Sequence, residues 1–375
     1  MSSHDQHIIM LPFLAHGHLI PFLALARQLH QTTGYTITIV STPLNIQYLQ
    51  STISSDSPDI HLAELPFCST DHGLPPNAEN TENLSFHNVP IFCHASVTLE
   101  APFRHLVRDI MDKEGGGRPP LCIISDIFFG WAVNVAKSVG SVSITFTTCG
   151  AYGTAAYISF WLHLPHLHRD CEEVFKLPWF PDSHRFHRSQ LSPLAKVTDG
   201  SHGWLCNTVE EIEPLGMEIL RKYLKLSVWA IGPLLPPAAL KKQYSSSSFG
   251  SNIFKQRAGK KPGISPEKCI EWLNLHGPSS VLYISFGSQN SVNASQMMEL
   301  ALGLEGNSDV VGKEVIMRVI ELVMDKKKGK GKEMQKKAAI IGEQIRAAAK
   351  DRGGDGEGSS LLAALNDFVR VSSAV

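Results

Sequence analysis

The sequence predicts an α/β fold: a parallel, doubly wound sheet followed by a second unit of the same class that is incomplete. Three observations carry this. Residues 7–30 read as a strand, a tight glycine turn and a helix. Strand-like apolar runs then alternate with helical stretches as far as Ile231, the pattern of a parallel sheet covered by helices. Beyond residue 263 the alternation supplies one strand, Ser280–Phe286, and then stops.

The first strand is the apolar run His7–Phe13. The turn Ala15-His16-Gly17-His18 follows. From Leu19 to His30, Phe22, Leu25, Ala26 and Leu29 fall at i, i+3, i+4 and i+7, one face of a helix. Pro21 fits a first helical turn, where no backbone donor is needed. Tyr35–Ser41 is β-branched and predicts a second strand; a helix near Ile46 and a third strand at Ile60–Leu65 follow. Cys68–Asn88 is polar and reads as a long binding loop. Ile91–Lys113 predicts one helix, with a turn at Gly115–Pro120. Leu121–Ser125 predicts a fourth strand ending on Asp126, and Phe129–Val139 a helix. Val142–Thr147 predicts a fifth strand and Ala151–Leu162 a helix. Pro165–His202 reads as irregular. Trp204–Thr208, a helix at Glu210–Leu224 and Val228–Ile231 close the first unit near residue 235.

Residues 236–263 hold four consecutive serines and six basic residues with no acidic one, the composition of a linker. The remainder, 264–375, predicts a helix at Pro266–Asn274, the strand Ser280–Phe286 with its Gly287-Ser288 turn, and a helix at Ala294–Leu304. Three further helical stretches follow, at Glu314–Asp325, Glu333–Lys350 and Leu361–Val369, with the basic run Lys326–Lys332 between the first two.

A chain of 375 residues suggests two domains. A net charge of −1 gives no electrostatic case for a nucleic-acid or anionic-membrane partner. The seven cysteines are odd in number, scattered and free of any CxxC pair, which predicts reduced thiols and a cytoplasmic protein. The polar start MSSHDQH predicts no secretory signal, and no apolar run is long enough to span a membrane.

Open α/β sheets bind ligands at the carboxyl ends of their strands. In the strand order 3-2-1-4-5, strand 4 lies beside strand 1, so His18 and Asp126 are expected to meet in that crevice. The positive end of the helix dipole disfavours an imidazolium at His18. An Asp accepting from one imidazole nitrogen fixes the tautomer and stabilises the cation formed on proton abstraction. The pair would then deprotonate a hydroxyl. The alternative is structural: His18 closes the turn and Asp126 caps the next helix. His16 and His18 also form an H-x-H that could hold a metal, but the later strand ends supply no further histidine and the expectation is no metal. Gly287-Ser288 is a strand-to-helix turn whose backbone donors and hydroxyl could hold a phosphate.

These residues, in this order, resemble the plant UDP-dependent glycosyltransferases of the GT-B fold, which has two Rossmann-like domains. The resemblance rests on HIIMLPFLAHGHLIPFLALARQL, CIISDIFFGWAVNVAKSVG, GWLCNTVEEIEPLGMEIL with WAIGPLLP, and EKCIEWLNLHGPSSVLYISFGSQNSVNASQMMELALGLE, and extends to GKGKEMQKKAAIIGEQIRAA and GSSLLAALNDFV. It implies that His18 is the base and Asp126 its partner, that Ser288 of the FGS turn, beside Gly287, contacts the donor diphosphate, and that Thr148 contacts the sugar. It further implies inverting transfer of a sugar, usually glucose, from a UDP-sugar co-substrate to a small lipophilic acceptor, with no other cofactor.

The departure matters equally. In the family, the helix ending in GLE leads into further βα units, including the signature box that binds uracil, ribose, diphosphate and sugar. Here Leu304-Glu305 runs into Gly306-Asn307-Ser308-Asp309, which resembles sequence beyond that box. The stretch from Gly263 holds 113 residues, whereas six strands at roughly thirty residues per βαβ repeat need about 180. The expectation is a second domain truncated by an internal deletion, through splicing or the gene model, and a chain that is impaired or inactive in transfer. The alternative is a non-catalytic protein that binds a small molecule. His16 stands where the family often has Gln.

Overall fold

The computed structural model describes residues 6–53, 60–85, 87–113, 116–163, 174–187, 200–235, 263–277, 280–285, 292–305, 329–349 and 360–374. The chain divides into two compact units. One comprises Met1–Lys255 with Gln344–Val375, the other Gln256–Glu343.

The first unit is a seven-stranded sheet. Its strands are β1 (His7–Leu11), β2 (Thr36–Ser41), β3 (Ile60–Glu64), β4 (Cys122–Asp126), β5 (Val142–Thr147), β8 (Gly203–Cys206) and β9 (Ser227–Ala230), in the order β3-β2-β1-β4-β5-β8-β9. Every pairing is parallel. β1, β4 and β5 carry side chains buried on both faces, as expected where helices cover a parallel sheet. On one face Ile8, Met10, Ile124 and Phe146 meet Leu19, Phe22 and Leu25 of the first helix; on the other Ile9, Leu11 and Ile123 share a core with Phe92, Phe103 and Val135.

The helices are α1 (His16–Thr33), α2 (Pro43–Thr52), α3 (Asn88–Ala95), α4 (Glu100–Lys113), α5 (Ala132–Val139), α6 (Ala151–His163) and α7 (Pro214–Leu224). Several departures from the sequence reading have local causes. α1 begins at His16 rather than Leu19, so Pro21 lies inside the helix; the residue four before it is the exposed Gly17, where a lost backbone bond is open to water. α1 ends at Gly34, which adopts the left-handed conformation at φ 70° and donates to the His30 carbonyl. The single helix expected over Ile91–Lys113 is two, joined by a 3-10 turn at Ser96–Leu99. The stretch read as irregular contains a short antiparallel hairpin, β6 (Val174–Phe175) with β7 (Phe186–His187). Its Phe175 and Phe186 rings meet Phe160 of α6 edge-on.

The C-terminal helices lie where the sequence predicts them, but the division between the units differs. α10 (Lys330–Ala349) runs across the boundary between the units, and α11 (Ser360–Ala374) belongs to the first. Leu365 and Phe368 are buried in the same core as Met10 and Trp229. Trp229 Nε1 donates to Asp367 Oδ2 at 2.8 Å. The sequence assigned 264–375 to one C-terminal part; the packing instead returns Gln344–Val375 to the first sheet, because α11 has apolar residues for which that sheet supplies the cover.

In the second unit, α8 (Pro266–Asn274) is capped by the Ser265 side chain, which accepts from the Lys268 amide, and α9 is Ala294–Glu305. Among the described residues, Val281–Ile284, read as part of a buried strand, belongs to neither of the two sheets, and Tyr283 is 85% exposed. An apolar run becomes a strand only where neighbours take its backbone groups. The helix expected at Glu314–Asp325, the linker 236–262 and the Gly287-Ser288 turn lie outside the described residues.

Candidate active site

The site is assembled by the two strands at the middle of the sheet. Leu11 of β1 pairs with Ser125 of β4. Asp126, one residue further, therefore stands beside the start of the Pro12–Ala15 turn at the carboxyl edge. That turn is tight: Ala15 donates to the Phe13 carbonyl, and the amides of His18 and Leu19 both donate to the Ala15 carbonyl. His18 is thus held in the first turn of α1, facing β4.

His18 Nδ1 lies 2.6 Å from Asp126 Oδ2. A carboxylate only accepts, so Nδ1 carries the hydrogen and Nε2 holds the free lone pair. Asp126 is fully buried, whereas the His18 side chain is 16% exposed. The other carboxylate oxygen, Oδ1, accepts from the Phe128 amide at 3.1 Å. Asp126 therefore orients His18 and closes the turn after β4; it does not cap α5, which starts further on at Ala132.

Two aromatic rings flank the imidazole. Phe13 meets it edge-on and Phe128 lies tilted to it, each with centroids 5.5 Å away. The sequence reading did not single out these residues; the signal was an aromatic just before the His turn and another two residues after the strand-end Asp. Rings here make an apolar, water-poor wall, which strengthens the charge interaction between imidazole and carboxylate.

Thr148, one residue past β5, brings its Oγ1 to 3.4 Å from His18 Nδ1. Its loop is fixed from below. Asn207 donates from Nδ2 to the Thr148 carbonyl and from its amide to the Thr147 carbonyl. Glu213, ahead of α7, accepts the Ala151 and Tyr152 amides and so caps α6 from outside the helix. This satisfies donors that a helix start otherwise leaves open.

Other ionisable groups nearby are poor bases near neutrality. Burial, and then the Asp126 and Glu213 charges, push the Cys149 thiol up. Burial holds the Tyr157 phenol well above its ordinary range. The two histidines of H-x-H take different carboxylates: His16 Nδ1 lies 3.3 Å from Glu82 Oε2. Among the described residues no group of three or more His, Cys, Asp or Glu is arranged to hold a metal ion. Gly287 and Ser288 lie outside the described residues, so the geometry unites His18, Asp126 and Thr148 and does not reach the donor turn. Among the described residues no helix is long and apolar enough to cross a membrane.

Residues 5–236 match the family model for the glycosyltransferase N-terminal domain. Crocetin glucosyltransferase 3 of Crocus sativus is 44% identical over 317 residues, covering 80% of this chain and 63% of that protein. UDP-glycosyltransferase 92A1 of Arabidopsis thaliana is 34% identical over 327 residues, covering 81% of this chain and 62% of that protein. The chain thus spans less than two thirds of the length of these curated relatives. Among solved structures, Medicago truncatula UGT71G1 complexed with UDP-glucose superposes with a TM-score of 0.72 over all of both chains at 17% identity. Glycyrrhiza uralensis UGT73P12 complexed with glycyrrhetinic acid 3-O-monoglucuronide gives 0.60 at 24% identity, over 88% of this chain and 67% of that one. The sheet, its helices and these likenesses establish an α/β fold of GT-B type. With more than half of its length matched by the family model, the chain belongs to the glycosyltransferases, and the curated relatives it resembles are plant enzymes of that family.

Proposed function

We propose that this chain retains the acceptor half of a UDP-glycosyltransferase: it binds a small lipophilic compound with its hydroxyl against His18, in a reducing, cytosolic setting. The observation that carries this reading is the 2.6 Å contact between His18 Nδ1 and a fully buried Asp126 beneath two aromatic rings. In the transfer such a site serves, Nε2 of His18 takes the acceptor proton. The acceptor oxygen bonds to the anomeric carbon of the sugar, the bond from that carbon to the UDP oxygen breaks, and UDP leaves with the electron pair. Attack opposite the leaving group inverts the configuration. Asp126 offsets the positive charge that develops on the imidazole.

The donor half is the weak part. A UDP-sugar needs a face for the uracil, partners for the ribose hydroxyls and donors for the diphosphate. By the family resemblance, this chain keeps the Gly287-Ser288 turn and lacks the signature box. One or two hydrogen bonds to phosphate, at roughly 1.5–3 kcal/mol each, are largely or wholly consumed by an association cost of about 4–15 kcal/mol. The chain accordingly binds an acceptor without glycosylating it. The similarity to a crocetin glucosyltransferase supports an elongated or planar apolar acceptor and glucose as the sugar of the intact enzyme. Incubating the purified chain with UDP-glucose and a panel of phenols, terpenoid alcohols and apolar carboxylic acids tests this by mass spectrometry. No glucoside is expected; a glucoside that disappears with His18→Ala would overturn the inactive reading and keep the base.

A further inference from the structure

His16 does not belong to the His18–Asp126 pair, yet it is buried at the first position of α1, where the family resemblance leads one to expect Gln. Its Nδ1 stands 3.3 Å from Glu82 Oε2, and both side chains are more than nine-tenths buried. The Tyr48 ring of α2 packs on the imidazole with centroids 4.4 Å apart. Glu82 sits in a 3-10 turn, Thr81–Asn83, capped by the Asn80 side chain, which accepts the Glu82 amide. The turn is tied to the active-site loop a second time, by the Thr81 amide donating to the Leu14 carbonyl at 3.2 Å. Just upstream, Glu79 Oε2 accepts the Leu44 amide at the start of α2, and Asn45 Nδ2 donates to the Glu79 carbonyl at 2.7 Å. Residues 79–83 therefore form a strap pinned to both helices that leave the carboxyl ends of β1 and β2.

The strap continues into the wall of the site. Leu74 and Ala78 are buried in one apolar cluster with Phe13, and Phe67, Leu84 and Phe128 pack against it. Phe13 and Phe128 are the two rings that flank His18. A shift of the strap would be passed to those rings through close packing, since interiors of this density transmit displacement. The link on the other side is covalent, because His16 and His18 share the first turn of α1.

We infer that the His16–Glu82 pair is a positioning device. It locks the acceptor-side strap onto the turn that bears His18, and so sets the width of the apolar wall against which an acceptor lies. Neither residue touches the reacting atoms. Removing either side chain takes away this contact between the strap and the His turn, which loosens the strap, whereas a neutral amide at either position can still bridge the gap. This inference rests on the acceptor-site reading, and the test separates the two.

The test is hydrogen exchange on the full 375-residue chain and its variants, without ligand, followed by titration with a fluorescent phenol, 2-naphthol. Glu82→Ala and His16→Ala are expected to speed exchange of the Thr81, Glu82 and Leu84 amides by about tenfold, the loss of one charge-assisted contact. The amides of β4 and β5 stay as they are, and 2-naphthol binds several-fold more weakly. Glu82→Gln and His16→Gln restore both readouts to within about twofold. Unchanged exchange in the strap overturns the inference, as does faster exchange throughout the sheet, which would mark a merely structural role. If the unaltered chain binds no phenol while the strap responds as expected, the clasp stands and the acceptor reading falls.

Discussion

Asp126 holds His18 from beneath: one carboxylate oxygen takes the imidazole Nδ1 at 2.6 Å and the other takes the Phe128 amide. The carboxylate is thereby fixed at both oxygens, and the imidazole is left one free lone pair. The expected tautomer is Nδ1–H. Nitrogen-15 correlation spectra of the labelled chain should show it for His18, and Asp126→Asn should populate Nε2–H, because an amide at that position can donate to Nδ1. An Nε2–H tautomer in the unaltered chain would contradict the assignment of the base.

The catalytic role of His18 is measurable once a donor half is present. Inserting the missing segment of a full-length relative after Glu305 is expected to give transfer. In that chimera His18→Ala should lower the rate by about 10²–10⁴, the range for loss of a general base. Parallel loss in kcat, with acceptor affinity changed far less, distinguishes loss of a base from loss of a pocket. An active His18→Ala chimera would remove His18 from the mechanism.

The contact between α11 and β9 makes a separate prediction. Hydrogen bonds from Trp229 and then Arg370 hold the Asp367 carboxyl below its ordinary range. The folded chain thus binds that proton less readily than the unfolded one. The stabilisation is present above the unfolded carboxylate range, near pH 4, and is lost as pH falls through the lower folded value. Because the Asp367 side chain is about half exposed, solvent screening keeps the effect small. Asp367→Ala is expected to cost about 0.5–1.5 kcal/mol at pH 7 and less at acid pH. Denaturant titrations at both pH values check this; an equal cost at both would contradict it.

Stability should be uneven along the chain. α8 and the segment after it expose Trp272, Leu275 and Tyr283, at 51%, 82% and 85%. Side chains so exposed contribute little hydrophobic stabilisation. Limited proteolysis is expected to remove residues 264–343 first. Met1–Lys255 should then remain together with a C-terminal peptide carrying Leu365 and Phe368, which are buried in its core. A resistant fragment spanning 264–343, or release of that peptide on cleavage, would contradict the division.

Much of the first unit was legible in the sequence, for physical reasons. Ile8–Leu11 and Cys122–Ile124 are buried on both faces of a parallel sheet, which leaves continuous apolar runs, and an order with the fourth strand beside the first brings His18 to Asp126. The meeting of those two residues followed from that order. The rest depended on contacts distant in sequence. An amphipathic helix at 360–374 does not announce that its cover is Trp229, some 138 residues earlier. The His16–Glu82 pair depends on how a polar loop folds back, which no periodicity records. Val281–Ile284 misled for the converse reason: strand propensity was present, but among the described residues the segment joins neither sheet.

The central claim is that the chain keeps an acceptor site and lacks a donor site. Saturation-transfer NMR on the purified 375-residue chain, with 2-naphthol and UDP-glucose in the same tube, tests both halves at once. Saturation is expected on the naphthol protons and displaced by excess of a larger lipophilic phenol, with none on the uracil or anomeric protons up to millimolar UDP-glucose. Saturable transfer to UDP-glucose at micromolar concentration would contradict the account, because it would show a donor site rebuilt within residues 264–375.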